Sequence, residues 1–278
     1  MLTASTTLAS ATSAEAVNCA ELLVRARRTA QPLSGFPTTL PASLDEAYAC
    51  QAEGIQRWAD EVVGWKVGWI PLAEQARVGE ERLIGPVFAR HLRHVAFDAE
   101  PQPIAVYAGG FGAIEAEIAF RVGRDAPATQ SEWTAEQAAA YVGAAHAAVE
   151  VASSPLATIN QLGPRAIIPD FGNNAGLLVG PELTAWTPER DRELRCRTEI
   201  GGETVGTGGA ATLPGGPLAA FAFALARCAR NGRPLRAGQY VTTGASTGIH
   251  EIRPGETGRI VFDGVGAIEL RAVARTPS

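Results

Sequence analysis

Glu115 and Glu117 stand two residues apart in Ile114-Glu115-Ala116-Glu117-Ile118-Ala119-Phe120, an otherwise apolar run. Side chains alternate along a strand, so both carboxylates point to one face while Ile114, Ala116, Ile118 and Phe120 fill the other. Two like charges beside a core need a counter-charge. A divalent cation supplies one. The alternative is a strand whose second face meets water, where carboxylates cost little. Glu150, in Val149-Glu150-Val151, is a third carboxylate between branched apolar residues. The stretch between Glu117 and Glu150 is long enough for a helix to cross and return to a neighbouring strand. Three converging carboxylates would form a hard oxygen site suited to Mg²⁺ or Mn²⁺ rather than zinc or copper. Taken alone, Glu150 also reads as an exposed residue at a helix end.

Lys66 lies between Trp65 and Val67 and is bracketed by Gly64 and Gly68. A lysine there can stabilise an anionic substrate or exchange protons with a shifted pKa. The other reading is a surface lysine whose stem lies along apolar neighbours. Thr242-Thr243-Gly244-Ala245-Ser246-Thr247-Gly248 ends a strand in hydroxyls and glycines. Thr243, Gly244 and Ser246 can present N–H and O–H groups to a carboxylate, or the segment is a plain turn. Pro214-Gly215-Gly216-Pro217 opens a helix and could bring its N-terminus to an anion; a structural helix entry is the simpler account. His91 and His94 are expected to face solvent and His146 to pack on an Ala-rich helix. His250 is the one histidine kept near the candidate site.

Elements must position these groups. Helices are expected over residues 16–29 and from the Ser43 N-cap, with Glu46 three residues on, to about Trp58. A strand is expected over Val62–Trp69, and further strands over 114–122, 148–152, 177–179, 194–200, 239–243, 259–263 and 266–273. A helix capped by Thr134 is expected over residues 135–147, and another from Pro217 to a C-cap at Gly232. With no regular βαβ alternation, the expected class is α+β: a mixed, mostly antiparallel β core with a helical N-terminal segment. The expected division is a flexible tail over residues 1–15, an N-terminal α/β segment over 16–100 and a β-rich catalytic domain over 101–278.

The bulk composition narrows the field. The chain has 278 residues, 46% apolar and 19% charged, enough for a large core. A net charge of −5 without a long basic cluster argues against a nucleic-acid partner. The four cysteines show no C-x-x-C pairing, which fits a reducing compartment. No run of about 18 apolar residues suggests a membrane span, and the N-terminus lacks a signal-peptide pattern. A soluble, cytoplasmic protein without a membrane partner is expected.

In order and spacing these pieces resemble the 2-keto-4-pentenoate hydratase / 4-oxalocrotonate decarboxylase family, a branch of the fumarylacetoacetate hydrolase superfamily. The resemblance runs from about residue 16 to 274. It rests on Gly64-Trp65-Lys66-Val67-Gly68, Glu115-Ala116-Glu117-Ile118-Ala119, Ala148-Val149-Glu150-Val151-Ala152 and Thr243-Gly244-Ala245, with Pro254-Gly255-Glu256 behind them. It implies that Glu115, Glu117 and Glu150 hold Mg²⁺ or Mn²⁺, that Lys66 serves a small 2-oxo-acid substrate, and that the protein is a homo-oligomer. The implied reaction is hydration of a 2-hydroxy-2,4-dienoate in aromatic catabolism. Decarboxylation or tautomerisation of a 2-oxo acid is the alternative, with C–C hydrolysis or a non-catalytic role behind it. The chain departs from the family pattern in three places. Leu83 stands where the pattern carries an acid, and the neighbouring Glu80 and Glu81 are the candidates to replace it. Asn173-Asn174-Ala175-Gly176 stands for D-N-A-S, and Pro155 for an arginine.

Overall fold

The structure is a computed structural model and describes residues 13–278. Most of the expected tail lies outside the described residues; Ser13 already caps α1 (Ala14–Thr29), its side chain accepting from Ala16 N. α1 pairs with α2 (Leu44–Trp58), where Glu46 N donates to Ser43 Oγ at 3.2 Å as the sequence motif requires. β1 (Val62–Trp69) follows, then the short α3 (Leu72–Val78), β2 (Arg82–Phe88), β3 (Leu92–His94) and β4 (Gln102–Val106). The long strand β5 (Phe111–Val122) leads through α4 (Ala135–Ala139) to another long strand, β6 (Val142–Ser154). Two helical turns, α5 (Ile159–Leu162) and α6 (Pro164–Ile167), precede β7 (Asn174–Glu182), β8 (Arg195–Ile200) and β9 (Glu203–Gly209). α7 (Gly216–Arg230) then leads to β10 (Tyr240–Thr242), β11 (His250–Glu251), β12 (Thr257–Phe262) and β13 (Gly266–Ala274).

The larger sheet runs β2-β1-β10-β5-β6-β7-β3, with β11 added to β5; the smaller runs β4-β13-β12-β8-β9. Pairings are antiparallel except β1 with β10, β3 with β7 and β13 with β4. The expected α+β class with a mostly antiparallel core is therefore observed. The larger sheet draws strands from both the 16–100 and the 101–278 segments, with β2 at one edge and β5–β6 at its centre. Among the described residues, no helix is long and apolar enough to cross a membrane.

One expectation fails. The helix over residues 135–147 stops at Ala139, and residues from Val142 onward form β6. Alanine favours helix locally, but tertiary pairing overrides it here. Each of β5 and β7 pairs along β6, and their backbone ladders hold these residues extended. At Gly143, the second residue of β6, a Cβ would stand 2.8 Å from Gly123 Cα, so the start of the strand admits no side chain there. His146 accordingly lies on a strand, its Nδ1 3.1 Å from Gly180 O.

The two faces of the central strands differ as alternation requires. Ile114, Ala116, Ile118 and Phe120 are buried in the main core. Phe120 meets Phe221 of α7 edge-on, 5.5 Å between centroids. The other face is also closed, unlike the half-exposed strand that was the alternative. Ala113, Ala152, Ile159 and Ala166 form one apolar cluster on it, and Ala119, Ala148, Leu177 and Tyr240 another. Between these clusters lie the acidic residues.

Candidate metal centre

The register of β5 and β6 places Glu115 directly opposite Glu150, and Glu117 opposite Ala148. Directly paired residues share a face, so all three carboxylates emerge together. One oxygen from each lies within 4.8 Å of the others. Glu115 is 4% exposed, and Glu117 and Glu150 are fully buried. Glu150 thus reaches the site from β6, the antiparallel neighbour of β5, after a connection that carries α4.

Four further strands or turns aim polar groups at the same point. Lys66 Nζ on β1 lies 3.1 Å from Glu150 Oε1 and donates to Asn173 Oδ1 at 3.2 Å. Asn174 Nδ2 on β7 donates to Glu150 Oε1 at 3.2 Å. The register shifts between Val151 and Ala152, pairing Ala152 with Asn174; this bulge turns Asn174 to the carboxylate face. Thr242 Oγ1 on β10 donates to Glu150 Oε2 at 3.3 Å, and Gly244 N to Glu117 Oε2 at 2.6 Å. Behind the site, the buried Arg27 of α1 donates to Asn174 O, Ser153 O and the Asp170 carboxylate, holding the Asn173–Asn174 turn against β6.

Close backbone approach makes room for Lys66. At Gly85, opposite Lys66 in the β1–β2 register, a Cβ would fall 2.2 Å from Phe171 O. At Gly172 (φ +65°) it would fall 3.2 Å from Lys66 Cδ. Gly85→Ala is expected to cost about 3 kcal/mol of stability, since backbone and not a flexible side chain must yield; a urea melt checks this.

The electrostatics are unbalanced. Burial pushes the Glu115 carboxyl up to about 7, with Lys66 opposing and Glu150 adding to the shift. Glu117 is raised well above the carboxylate range by burial, then by Glu150 and Glu115. For Lys66, burial favours the neutral amine, but Glu150, Glu115 and Glu117 outweigh it and keep the ammonium charged. One cation therefore faces three acids. Glu115 Oε1 and Glu117 Oε1 are buried with no hydrogen-bond partner among the described residues. Unpaired buried carboxylate oxygens are costly, and an all-oxygen donor set fits a hard divalent cation. Between the ordinary carboxylate range and pH 7 the folded protein holds a proton on Glu115 that the unfolded chain has released. Stability of the metal-free protein is therefore expected to fall as pH rises through that window. Metal binding must displace the proton, so affinity is expected to rise with pH through about 7, with proton release measurable by calorimetry in buffers of different ionisation heat.

Of the three acids, Glu115 lines a cavity of about 350 Å³. Of the residues singled out in the sequence, Lys66, Glu115, Thr243 and Gly244 line it. Glu117 and Glu150 lie beneath, within the carboxylate cluster. Thr243 Oγ1 donates to Ile118 O at 2.8 Å, which fixes the loop. Ser246 is buried and does not line the cavity; its N–H donates to Ala116 O. Glu80 and Glu81 do not line it either: Glu80 pairs with Arg227 and Glu81 with Arg82. His250 Nε2 is 2.9 Å from Thr247 O, outside the cavity wall. Residues not singled out are Thr242, Asn174, Arg82, Leu213 and Ile249. A signal was present for Lys66 as well: it is the only lysine of the chain, every other basic side chain of the 24 being arginine. A compact ammonium and not a planar guanidinium is what this space holds.

Comparison with known proteins shows the family and the fold. The family model for the fumarylacetoacetate (FAA) hydrolase C-terminal domain matches residues 90–273. A 2-keto-4-pentenoate hydratase of Paraburkholderia xenovorans (strain LB400) is 30% identical over 261 residues, covering 90% of this chain and 91% of that protein. The 2-keto-4-pentenoate hydratase 2 of Dechloromonas aromatica (strain RCB) is 28% identical, covering 90% and 94%. Among solved structures, 4-oxalocrotonate decarboxylase from Pseudomonas putida G7, complexed with magnesium and adipate, superposes with a TM-score of 0.76. It is 21% identical, with 93% of this chain and 97% of that one covered; this likeness is one of fold.

Proposed function

The chain belongs to the fumarylacetoacetate hydrolase family, and we propose that within it the protein is a divalent-metal-dependent hydratase of a 2-hydroxy-2,4-dienoate, giving a 4-hydroxy-2-oxo acid. The observation that carries the reading is the buried cluster of Glu115, Glu117 and Glu150, two of whose oxygens lack partners among the described residues, reached at Glu115 by a cavity that Lys66 also lines. The relatives named as hydratases, aligned over nine-tenths of the chain, supply the reaction.

Glu115, Glu117 and Glu150 would hold the ion, with Mg²⁺ or Mn²⁺ favoured by oxygen ligands. When bound, a divalent cation draws negative charge onto the carboxylate and 2-oxygen of the substrate. The protein's own residues do the rest. Lys66 remains an ammonium and has two of its three N–H groups directed to Glu150 and Asn173; the third is available to the substrate oxygen that gains charge. Asn174 and Thr242 fix the Glu150 carboxylate so that it orients Lys66. The buried Leu83 and Leu213 give the substrate chain an apolar wall. Net addition places a hydroxyl on C4 and hydrogen on the carbon chain as the 2-hydroxyl becomes a ketone.

A carboxy-lyase on the same site is the second reading. One observation favours it: Leu83 is buried against the cavity, and Glu115 is the only carboxyl among the residues lining it. Hydration must deliver protons to carbon. Loss of CO₂ leaves the electron pair in a dienolate that can take its proton on oxygen. A small 2-oxo-acid partner, a homo-oligomer and a cytoplasmic location complete the proposal, supported by the family resemblance.

The test is direct. With Mg²⁺ the protein is expected to bleach the absorbance of 2-hydroxypenta-2,4-dienoate, and chelation to stop it. CO₂ release from 2-oxohex-3-enedioate without bleaching of the dienoate would replace the first reading with the second.

A further inference from the structure

Cys19 of α1 and Cys50 of α2 lie far apart in sequence, yet the packing of the two helices brings them together. Both are free, buried thiols and belong to one apolar cluster with Ala16, Ala20 and Leu23. Their sulfurs are hydrogen-bonded to each other, Cys50 donating to Cys19, and the Thr38 hydroxyl donates to the same Cys19 sulfur. The bond from Cys50 above all, with that from Thr38, outweighs burial and holds the Cys19 thiol below its ordinary range. The same bond, with burial, pushes the Cys50 thiol up. The other two thiols have no such partner in each other, Cys196 standing on β8 and Cys228 on α7, and burial pushes Cys196 up to about 12 and raises Cys228 as well.

A cavity of about 510 Å³ opens onto the pair, lined by Cys19 and Cys50 together with Thr38, Glu15 and Glu46. Neither cysteine lines the cavity beside the acids. Among the described residues, the lining over the thiols carries two carboxylates and no cationic side chain. It therefore disfavours an anionic oxidant such as glutathione disulfide and admits a small neutral one. The thiolate is the reactive form of cysteine, and a sulfenic acid beside a second thiol condenses with it to a disulfide. We propose that Cys19 and Cys50 form a modification site for small neutral hydroperoxides, with Cys19 the attacking sulfur and Cys50 the resolving one, and that the product is a disulfide joining α1 to α2. In the first step the Cys19 sulfur attacks the O–O bond and keeps one oxygen as a sulfenic acid. The other oxygen leaves with the proton that Cys19 gave up, as an alcohol, or as water from hydrogen peroxide. In the second step the Cys50 sulfur attacks Cys19, the S–O bond breaks, and the hydroxyl leaves as water with the Cys50 proton. The two sulfurs lose two electrons and the hydroperoxide gains them.

The test exposes the full chain to a modest excess of hydrogen peroxide, quenches it in denaturant with an alkylating agent, and maps the cysteines by peptide mass spectrometry. A peptide linked through Cys19 and Cys50 is expected, reversed by dithiothreitol, while Cys196 and Cys228 stay alkylated. Glutathione disulfide at the same concentration should form the link at least about tenfold more slowly. Cys50→Ala should leave Cys19 as a sulfenic acid that dimedone captures, and Cys19→Ala should give neither the link nor the dimedone adduct. The wild-type map decides the matter even where a variant fails to fold. Alkylation of all four thiols after peroxide overturns the proposal, as does oxidation of Cys196 or Cys228 ahead of the pair. Linkage as fast with glutathione disulfide as with peroxide overturns the choice of oxidant, and a dimedone adduct on Cys50 overturns the assigned roles.

Discussion

Glu117→Gln is expected to lower divalent-cation affinity on the order of a hundredfold or more, and to raise the melting temperature of the metal-free protein. The two effects share one cause. Glu117 is fully buried; one of its oxygens accepts from Gly244 N and the other has no partner among the described residues. Burial and the neighbouring acids hold its carboxyl well above the usual range, so folding of the metal-free protein near neutral pH must take up a proton that the unfolded chain has released, at a cost. Glutamine keeps the shape and the Gly244 contact and is neutral without taking up a proton. The metal-free protein gains about 1–2 kcal/mol, worth a few degrees for a chain of this size. The same change removes a hard ligand that a bound ion cannot replace from within a dry site. Magnesium calorimetry and paired melts in chelator and in excess metal measure both. Unaltered affinity would end the metal-centre assignment.

Lys66→Met is expected to act in the opposite sense on both quantities. It leaves Glu150 paired only with the neutral Asn174 and Thr242 and strips the cation facing three acids. Breaking a buried pair from one side costs about 3–5 kcal/mol, so the metal-free protein should melt earlier. Metal affinity should hold or rise, because the site becomes more negative. Turnover should fall on the order of a thousandfold, since the ammonium stabilises charge that develops only during reaction. Lys66→Arg should not rescue it: the stem already passes 3.2 Å from where a Gly172 Cβ would stand, and a planar fork is wider than an ammonium. A variant with normal turnover would remove Lys66 from the chemistry. Because Lys66 is the chain's only lysine, amine-directed labelling reports on this position and the N-terminus alone.

How much of this was legible in the sequence depends on the distance over which each residue's role is decided. Glu115 and Glu117 were readable because a two-residue spacing fixes their common face within one strand. Lys66 was readable from its glycine bracket, though the reason for Gly85 lies in Phe171, far along the chain. Glu150 was placed correctly among the acids but for the wrong structural reason. The alanines before it have helical propensity, and only the flanking strands make them a strand. Glu80 and Glu81 were chosen for closeness in sequence to Leu83, yet side chains two and three positions away on a loop answer to other partners, Arg227 and Arg82. Asn174 turns inward through a bulge, which no local pattern announces.

The position of β2 at the edge of the larger sheet bears on how proteins of this kind diverge. The three acids sit on β5 and β6, strands paired on both sides, where a one-residue slip would turn every ligand into the core. Leu83 and Arg82 sit on an outer strand paired on one side, entered through α3, a helix with no buried residue. Substitutions and length changes there leave the central ladder intact. Selection can therefore rewrite which molecule enters without disturbing the groups that hold its reactive end.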